Sequence, residues 1–251
     1  MSENKAFDYS SIPLGYYDRI AARRKGMRSF WHYLKFRRII DGIDKPAGTI
    51  LDFGCFAGTF LGMISPECIA SQTGVDILPE QIEYARQNYG NNYRSFFVIN
   101  NLSDLDFIAD QSLDYVTSIE VIEHLKHEEI DKFFEFASSK LKPGGKLIFT
   151  SPNYCSAWPV LEVVLNLMSK VKYEEQHITR FSYFNLERKL SEIYPPFTTD
   201  FYIDVKTTTH FFTPVMALVS FRLAEKAARL VTHRHWRLPL GSLLLLQLVR
   251  K

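Results

Sequence analysis

The sequence predicts an α/β fold, a seven-stranded and mostly parallel sheet with helices on both faces, preceded by an N-terminal cap helix and interrupted by helical insertions. Three observations carry this. From Thr49 onward, short apolar runs alternate with helical stretches, the pattern of βαβ units around a parallel sheet. The loop from Asp52 to Gly58 joins the first run to the next helix through two glycines. Asp76 closes the second run, 24 residues after Asp52, at the sheet edge where open α/β folds bind ligands.

Taken in order, residues 16–43 hold Trp31, Leu34, Ile39 and Ile40 at helical spacing among basic side chains and stop at Gly42 and Pro46, which predicts one cap helix within a cap region 1–45. A ligand-binding core follows over 46–155. Its strands are expected at 50–53, 73–76, 95–99, 113–118 and 146–150, with helices opening near Gly58, Pro79 and Glu128. Pro79 followed by Glu80 suits a first turn, since proline has no N–H to lose there and a carboxylate meets the positive end of the helix dipole. A sixth strand is expected at 198–205 and a seventh at 242–248, after the Leu240-Gly241 turn. The insertions, 156–180 and 208–240, each contain an apolar helical stretch, at 158–168 and 214–231, expected above the ligand-binding edge. The whole is expected to be one domain.

Composition bounds the function. Of the 251 residues 46% are hydrophobic and 23% charged, enough for a sizeable core. Thirty Lys and Arg against 28 Asp and Glu leave a net charge of +2, which argues for no nucleic-acid partner. Basic residues do cluster, as Arg19, Arg23, Arg24, Lys25 and Arg28 near one end and as His233, Arg234, His235 and Arg237 near the other. Cys55, Cys68 and Cys155 have no framework spacing, so no disulfide is expected. The polar start MSENKAFDYS and the lack of a bilayer-length apolar run predict a cytoplasmic protein.

The first loop separates two ligand classes. Gly54 lets the backbone approach a ligand closely and Gly58 opens the following helix, although a tight turn with no ligand would use glycines too. A dinucleotide site would carry G-x-G-x-x-G for a pyrophosphate. Here the acid Asp52 precedes a single close-approach glycine, which suits an amino-acid ammonium and makes a nicotinamide-dependent oxidoreductase the poorer reading. Asp76 is placed to accept bonds from two ribose hydroxyls.

Four segments then fall in order: ILDFGCFAG at 50–58, TGVDILPEQIEYARQ at 73–87, SLDYVTSIEVIEHL at 112–125 and LKPGGKLIFTSPN at 141–153. Together they resemble the motifs of the class I S-adenosylmethionine-dependent methyltransferases, Rossmann-like enzymes that include the methyltransferases of the ubiquinone pathway. The resemblance implies S-adenosylmethionine as cofactor, leaving as S-adenosylhomocysteine. It implies that Asp52 and Gly54 face the methionine part, that Asp76 holds the ribose and that Ile77 packs on adenine. Two positions depart from the family pattern. Phe56 replaces a second loop glycine, and Asn101 replaces an acid after the third strand, where its amide oxygen and the Leu102 N–H would meet adenine.

Methyl transfer from a sulfonium depends chiefly on positioning, and a base is needed only for a hydroxyl or protonated amine acceptor. Glu120, Glu123 and His124 have the spacing of one helix face. The resemblance to metal-assisted O-methyltransferases implies that such a triplet, with His177 from afar, could hold a divalent ion. The alternative, adopted here, is an orienting hydrogen-bond network with no metal ligand, in which His177 is the base and His124 and Glu120 assist. Ser182 is expected to cap the helix through Leu190. Trp158, Val160, Leu161, Val164 and Leu165, backed by Phe211, Phe212 and Phe221, would roof a small-molecule or lipid-linked acceptor, or rest peripherally on a membrane. A non-catalytic cofactor-binding partner within an assembly is the remaining alternative class.

Overall fold

The computed structural model describes residues 12–46, 48–159, 177–230 and 239–251. Its strands are β1 (Gly48–Phe53), β2 (Ile69–Asp76), β3 (Arg94–Val98), β4 (Leu113–Ile119), β5 (Leu141–Pro152), β6 (Phe201–Thr209) and β7 (Leu243–Arg250). They form one seven-stranded sheet in the order β3-β2-β1-β4-β5-β7-β6. The first five run parallel, and β7 is antiparallel to both β5 and β6. Chain order reverses between β1 and β4, so the loops leaving these two strands diverge and open a crevice at the carboxyl edge.

The strands are apolar on both faces because both faces are covered. Leu51, Val116, Leu147 and Phe149 point to a cluster with Phe133 and Phe134 of α5 (His127–Lys140). Their chain neighbours Ile50, Tyr115 and Ile148 point to the opposite cluster. That second cluster also takes Phe36 and Ile39 from α2 (Gly26–Ile40) and Ile82 and Ala85 from α4 (Pro79–Tyr89). The N-terminal segment is therefore a sheet-covering layer as well as a cap.

Several expectations are corrected. The single cap helix is two, α1 (Tyr16–Ala22) and α2, because the chain takes left-handed φ values of 44° at Arg24 between them and 79° at Gly26, the first residue of α2. The helix after Gly58 is one turn, α3 (Thr59–Gly62). The expected start of strand six is helical instead. Two prolines end α6 (Leu186–Ile193), and the Pro196 carbonyl accepts the N–H groups of Thr199 and Asp200, forming α7 (Phe197–Asp200) before β6 begins. Ser182 does not cap α6. Asn185 holds that position, while the Ser182 hydroxyl accepts the Asn185 N–H one turn earlier. The stretch from Pro214 divides into α8 (Thr213–Met216) and α9 (Phe221–Leu230). Of the helix expected at 158–168, only Trp158 and Pro159 lie within the described residues, and so do none of His233, Arg234, His235 and Arg237.

The edge of the sheet away from the crevice is stapled by Asp114 at the start of β4. Its Oδ2 accepts the Thr49 N–H at 3.0 Å and Lys142 Nζ at 2.8 Å, tying the starts of β1 and β5 to β4. Burial alone would raise this carboxyl, but the Lys142 bond and the Thr49 N–H outweigh it and hold it below the usual range. Asp114→Ala is expected to cost about 1.5–3 kcal/mol, read as a lower Tm. Because the folded value is depressed, this contribution is present at neutral pH and disappears as pH falls below about 4, so the gap in Tm between wild type and variant should close in acid.

Candidate active site

The crevice between β1 and β4 deepens into a cavity of about 770 Å³, within the range of roughly 300–1,000 Å³ usual for cofactor and small-molecule sites. Asp52 stands at the end of β1 and accepts the Thr117 hydroxyl at 2.7 Å. Burial raises its carboxyl to about 7, with the charge of Asp76 adding to the effect. Asp76 ends β2 and accepts the Phe56 N–H at 2.8 Å and the Leu78 N–H at 3.0 Å, while burial raises it too. Two desolvated carboxylates in one cavity suit a ligand that brings an ammonium and hydroxyls, because such partners restore the charge that burial penalises.

The loop between them is shaped for close approach. Gly54 has φ 78°, and a Cβ there would overlap Val121, so the β1 and β4 loops touch through its missing side chain. Phe56, at the position of the absent glycine, takes φ 48°, and its ring packs edge-on against Tyr17 of α1 at 5.1 Å, both residues lining the cavity. Asp52, Gly54, Asp76, Ile77, Asn101 and Leu102 all line the cavity. Gly58 does not; its Cα faces Phe96 and Ala85, where a Cβ would come within 2.9 Å, so it serves helix packing. Asn101 caps a 3-10 turn, Leu102–Leu105, by accepting the Ser103 N–H at 3.0 Å, so its amide oxygen already has a partner within the chain.

Beyond β4 the expected helix face does not exist. Glu120 has a left-handed φ of 55°, and Ile122–His124 is a single 3-10 turn, so Glu120 and Glu123 diverge. Glu120 turns to α2, where it pairs with the buried Lys35 and accepts Trp31 Nε1 at 3.3 Å. Burial alone would raise its carboxyl, but Lys35 and then His32 bring it down to about 2, and a carboxylate so held is a poor base. Glu123 is buried, its carboxyl oxygens have no hydrogen-bond partner at bonding distance among the described residues, and burial pushes it well above the usual range.

His177 reaches the site from a distant segment because the Glu123 carbonyl accepts the Ile178 and Thr179 N–H groups at 2.8 and 2.9 Å, while Thr179 donates its hydroxyl to the Leu125 carbonyl. Ligand atoms of Glu123, His124 and His177 then lie within 4.8 Å of one another. Glu174 and Glu175 precede His177 in the sequence but lie outside the described residues, and the acid that the described tertiary structure brings to His177 is Glu123. Burial lowers His177 to about 4, not the 6.5 of a solvated imidazole, and its Nδ1 shares a 2.6 Å hydrogen bond with the Tyr154 hydroxyl.

Trp158 packs on Trp31 at 5.4 Å and on His177 at 6.3 Å, forming part of the roof, with Phe211 also lining the cavity. Phe221 instead packs on Phe30 and Tyr33 behind α2. Lys35, Trp31, Tyr154 and His210 escape a reading of the sequence. Trp31 and Lys35 share a helix face and His210 follows β6 at the ligand edge, yet no spacing says which loop each meets.

A family model described as a methyltransferase domain matches residues 50–145. Residues 50–145 form a class I methyltransferase domain. A ubiquinone biosynthesis O-methyltransferase of Xanthomonas axonopodis pv. citri is 31% identical over 122 residues, 48% of this chain and 50% of that one. A ribosomal protein L11 methyltransferase of Burkholderia lata is 31% identical over 104 residues, 41% of this chain and 31% of that one. The chain thus spans about half or less of the length of these curated relatives. A methyltransferase structure from Archaeoglobus fulgidus superposes with a TM-score of 0.61 at 18% identity, covering 97% of this chain and all of that one, which shows a shared fold. The methyltransferase domain holds the β1 and β2 carboxylates and the 3-10 turn after β4, whereas His177, Tyr154, Trp158 and His210 lie outside it.

Asp76→Ala is expected to weaken S-adenosylhomocysteine binding about ten- to a hundredfold, roughly 1.5–3 kcal/mol for two charge-assisted bonds. Calorimetric titration, beside a melting curve that checks the Phe56 and Leu78 contacts, decides this. Unchanged affinity in a folded variant removes Asp76 from the site.

Proposed function

We propose that this chain transfers the methyl group of S-adenosylmethionine to an oxygen of an apolar small molecule, free or lipid-linked. The observation that supports this best is the placement of the neutral His177 imidazole in the same cavity as the Asp52 and Asp76 carboxylates, under the aromatic roof of Trp31 and Trp158. The methyltransferase relative from Xanthomonas, named for O-methylation in ubiquinone biosynthesis, agrees with an oxygen acceptor, while the ribosomal-protein relative shows that domains of this kind serve other acceptors as well.

Asp52 would hold the cofactor's ammonium and Asp76 its ribose hydroxyls. When bound, S-adenosylmethionine would supply a methyl carbon activated by its sulfonium, with the carbon–sulfur bonding pair leaving on sulfur as the acceptor oxygen bonds to that carbon. His177 takes the proton that this oxygen loses. In this scheme Nδ1 would carry the ring proton and donate it to the Tyr154 oxygen, and Nε2 would be the nitrogen that takes the acceptor's proton. The roof keeps water from the reacting atoms.

One observation favours a second reading. The Glu123 carboxyl, with no hydrogen-bond partner at bonding distance among the described residues, lies beside His124 and His177 and fits a three-ligand divalent site, where a bound cation would offset the burial that raises it. Glu120 stays with Lys35 and joins neither scheme as base or ligand. A nitrogen-rich set of this kind suits zinc or manganese better than magnesium.

His177→Ala is expected to lower turnover roughly 10²–10⁴-fold with S-adenosylhomocysteine affinity nearly unchanged, and chelation is expected to leave the wild-type rate alone. The acid limb of the rate should fall near pH 4, since protonation of His177 removes the base. Metal found stoichiometrically in the purified protein, with activity lost on chelation and restored by the ion, replaces the base reading by the metal one. An intact rate after both treatments leaves proximity alone to drive transfer.

A further inference from the structure

The segment from Phe212 to Leu230 carries an outer surface that the site does not use. Its inner side is small and packed: Ala217, Ala224 and Ala228 lie on Phe30 and Leu34 of α2. The neutral His210 anchors its start by donating Nε2–H to the Trp31 carbonyl at 2.8 Å. Outward, Phe212, Val215, Leu218, Val219 and Leu223 are all exposed, with Leu218 at 66% and Val219 at 87%, a degree that isolated surface leucines and valines do not explain within twelve residues. On the same outer side, Arg222 and Lys226 are exposed and have no ion pair among the described residues.

The basic α1–α2 turn adjoins this helix. Arg24 pairs with Glu225 at 3.5 Å and lies over the Phe221 ring at 5.1 Å, which brings the exposed Arg23 and Lys25 beside α9. Val215 and Pro214 also line the cavity, so the apolar surface runs up to its mouth.

We propose that this face docks on an anionic lipid surface, the aliphatic side chains of 212–223 entering the acyl boundary and the cations of α9 and the α1–α2 turn meeting the headgroups. A second copy of the chain would set the same cations against one another. A nucleic acid would leave Phe212, Leu218 and Val219 without a partner, and a bilayer satisfies both halves of the pattern. The docking rests on the surface alone. Its consequence, that an apolar acceptor enters from the lipid beside Val215, rests on the acceptor class proposed above.

The test is flotation of the full chain with vesicles of phosphatidylcholine, with and without phosphatidylglycerol, which reads binding without any activity. Binding to the vesicles with phosphatidylglycerol is expected, weakened by salt. The double variant Leu218→Asp/Val219→Asp should lose roughly tenfold or more in partitioning. Arg222→Glu/Lys226→Glu should lose the preference for the anionic lipid. Both pairs are exposed, so unchanged melting and S-adenosylhomocysteine binding are expected to show them folded. Failure to float with anionic vesicles, binding that survives both variants, or a dimer abolished by the aspartates in place of vesicle binding overturns the proposal, whether or not methyl transfer is found.

Discussion

Lys35 reaches from α2 to Glu120 at the end of β4, and much else in the molecule follows from that buried pair. Taking two charges out of water is costly, and the cost is offset only where geometry and further hydrogen bonds are good. Glu120 meets that condition by also accepting Trp31 Nε1 and by turning through a left-handed backbone angle to do so. With Glu120 committed to α2, the cap is held against the sheet edge, Trp31 is set beside Trp158, and the 3-10 turn that follows is free to aim Glu123 and His124 at His177. The pair therefore closes the cavity and divides its acids into two groups with different work.

That division shows in the charge states. Glu120 is held ionised at about 2 by a neighbouring ammonium, whereas Glu123, three residues on, is pushed well above the usual carboxylate range by burial. Asp52 and Asp76 lie between these extremes, desolvated yet supported by a hydroxyl and by backbone N–H groups. A cationic, hydroxyl-bearing ligand relieves their strain in a way that no described side chain does. The histidines follow the same logic: burial keeps His177 and His210 neutral near pH 7, one beside the acceptor space and one as a backbone anchor.

The outer surface of α8 and α9 obeys a separate constraint. Small alanines toward α2 permit close packing, and the larger aliphatic side chains are left pointing away. Packing within the chain therefore explains the inner face and leaves the outer one to a partner.

The approximate positions of the core strands along the chain and the carboxylates that end β1 and β2 were determined by the sequence alone, because apolar runs of strand length and acids at their carboxyl ends are local patterns, whereas the order of the strands in the sheet came from the tertiary structure. Element ends were less legible: the prolines before α7 and the left-handed turn at Arg24 changed helices that spacing alone had drawn. Only the tertiary structure decided what the acids and histidines do. Helical spacing placed Glu120, Glu123 and His124 on one face, but the backbone at Glu120 is left-handed and Lys35 supplies a stronger attraction than its sequence neighbours do. His177 lies 53 positions from His124, and backbone bonds to the Glu123 carbonyl bring the two rings to 5.0 Å. Such contacts arise between elements brought together by burial of the sheet faces, and no periodicity within one segment encodes them.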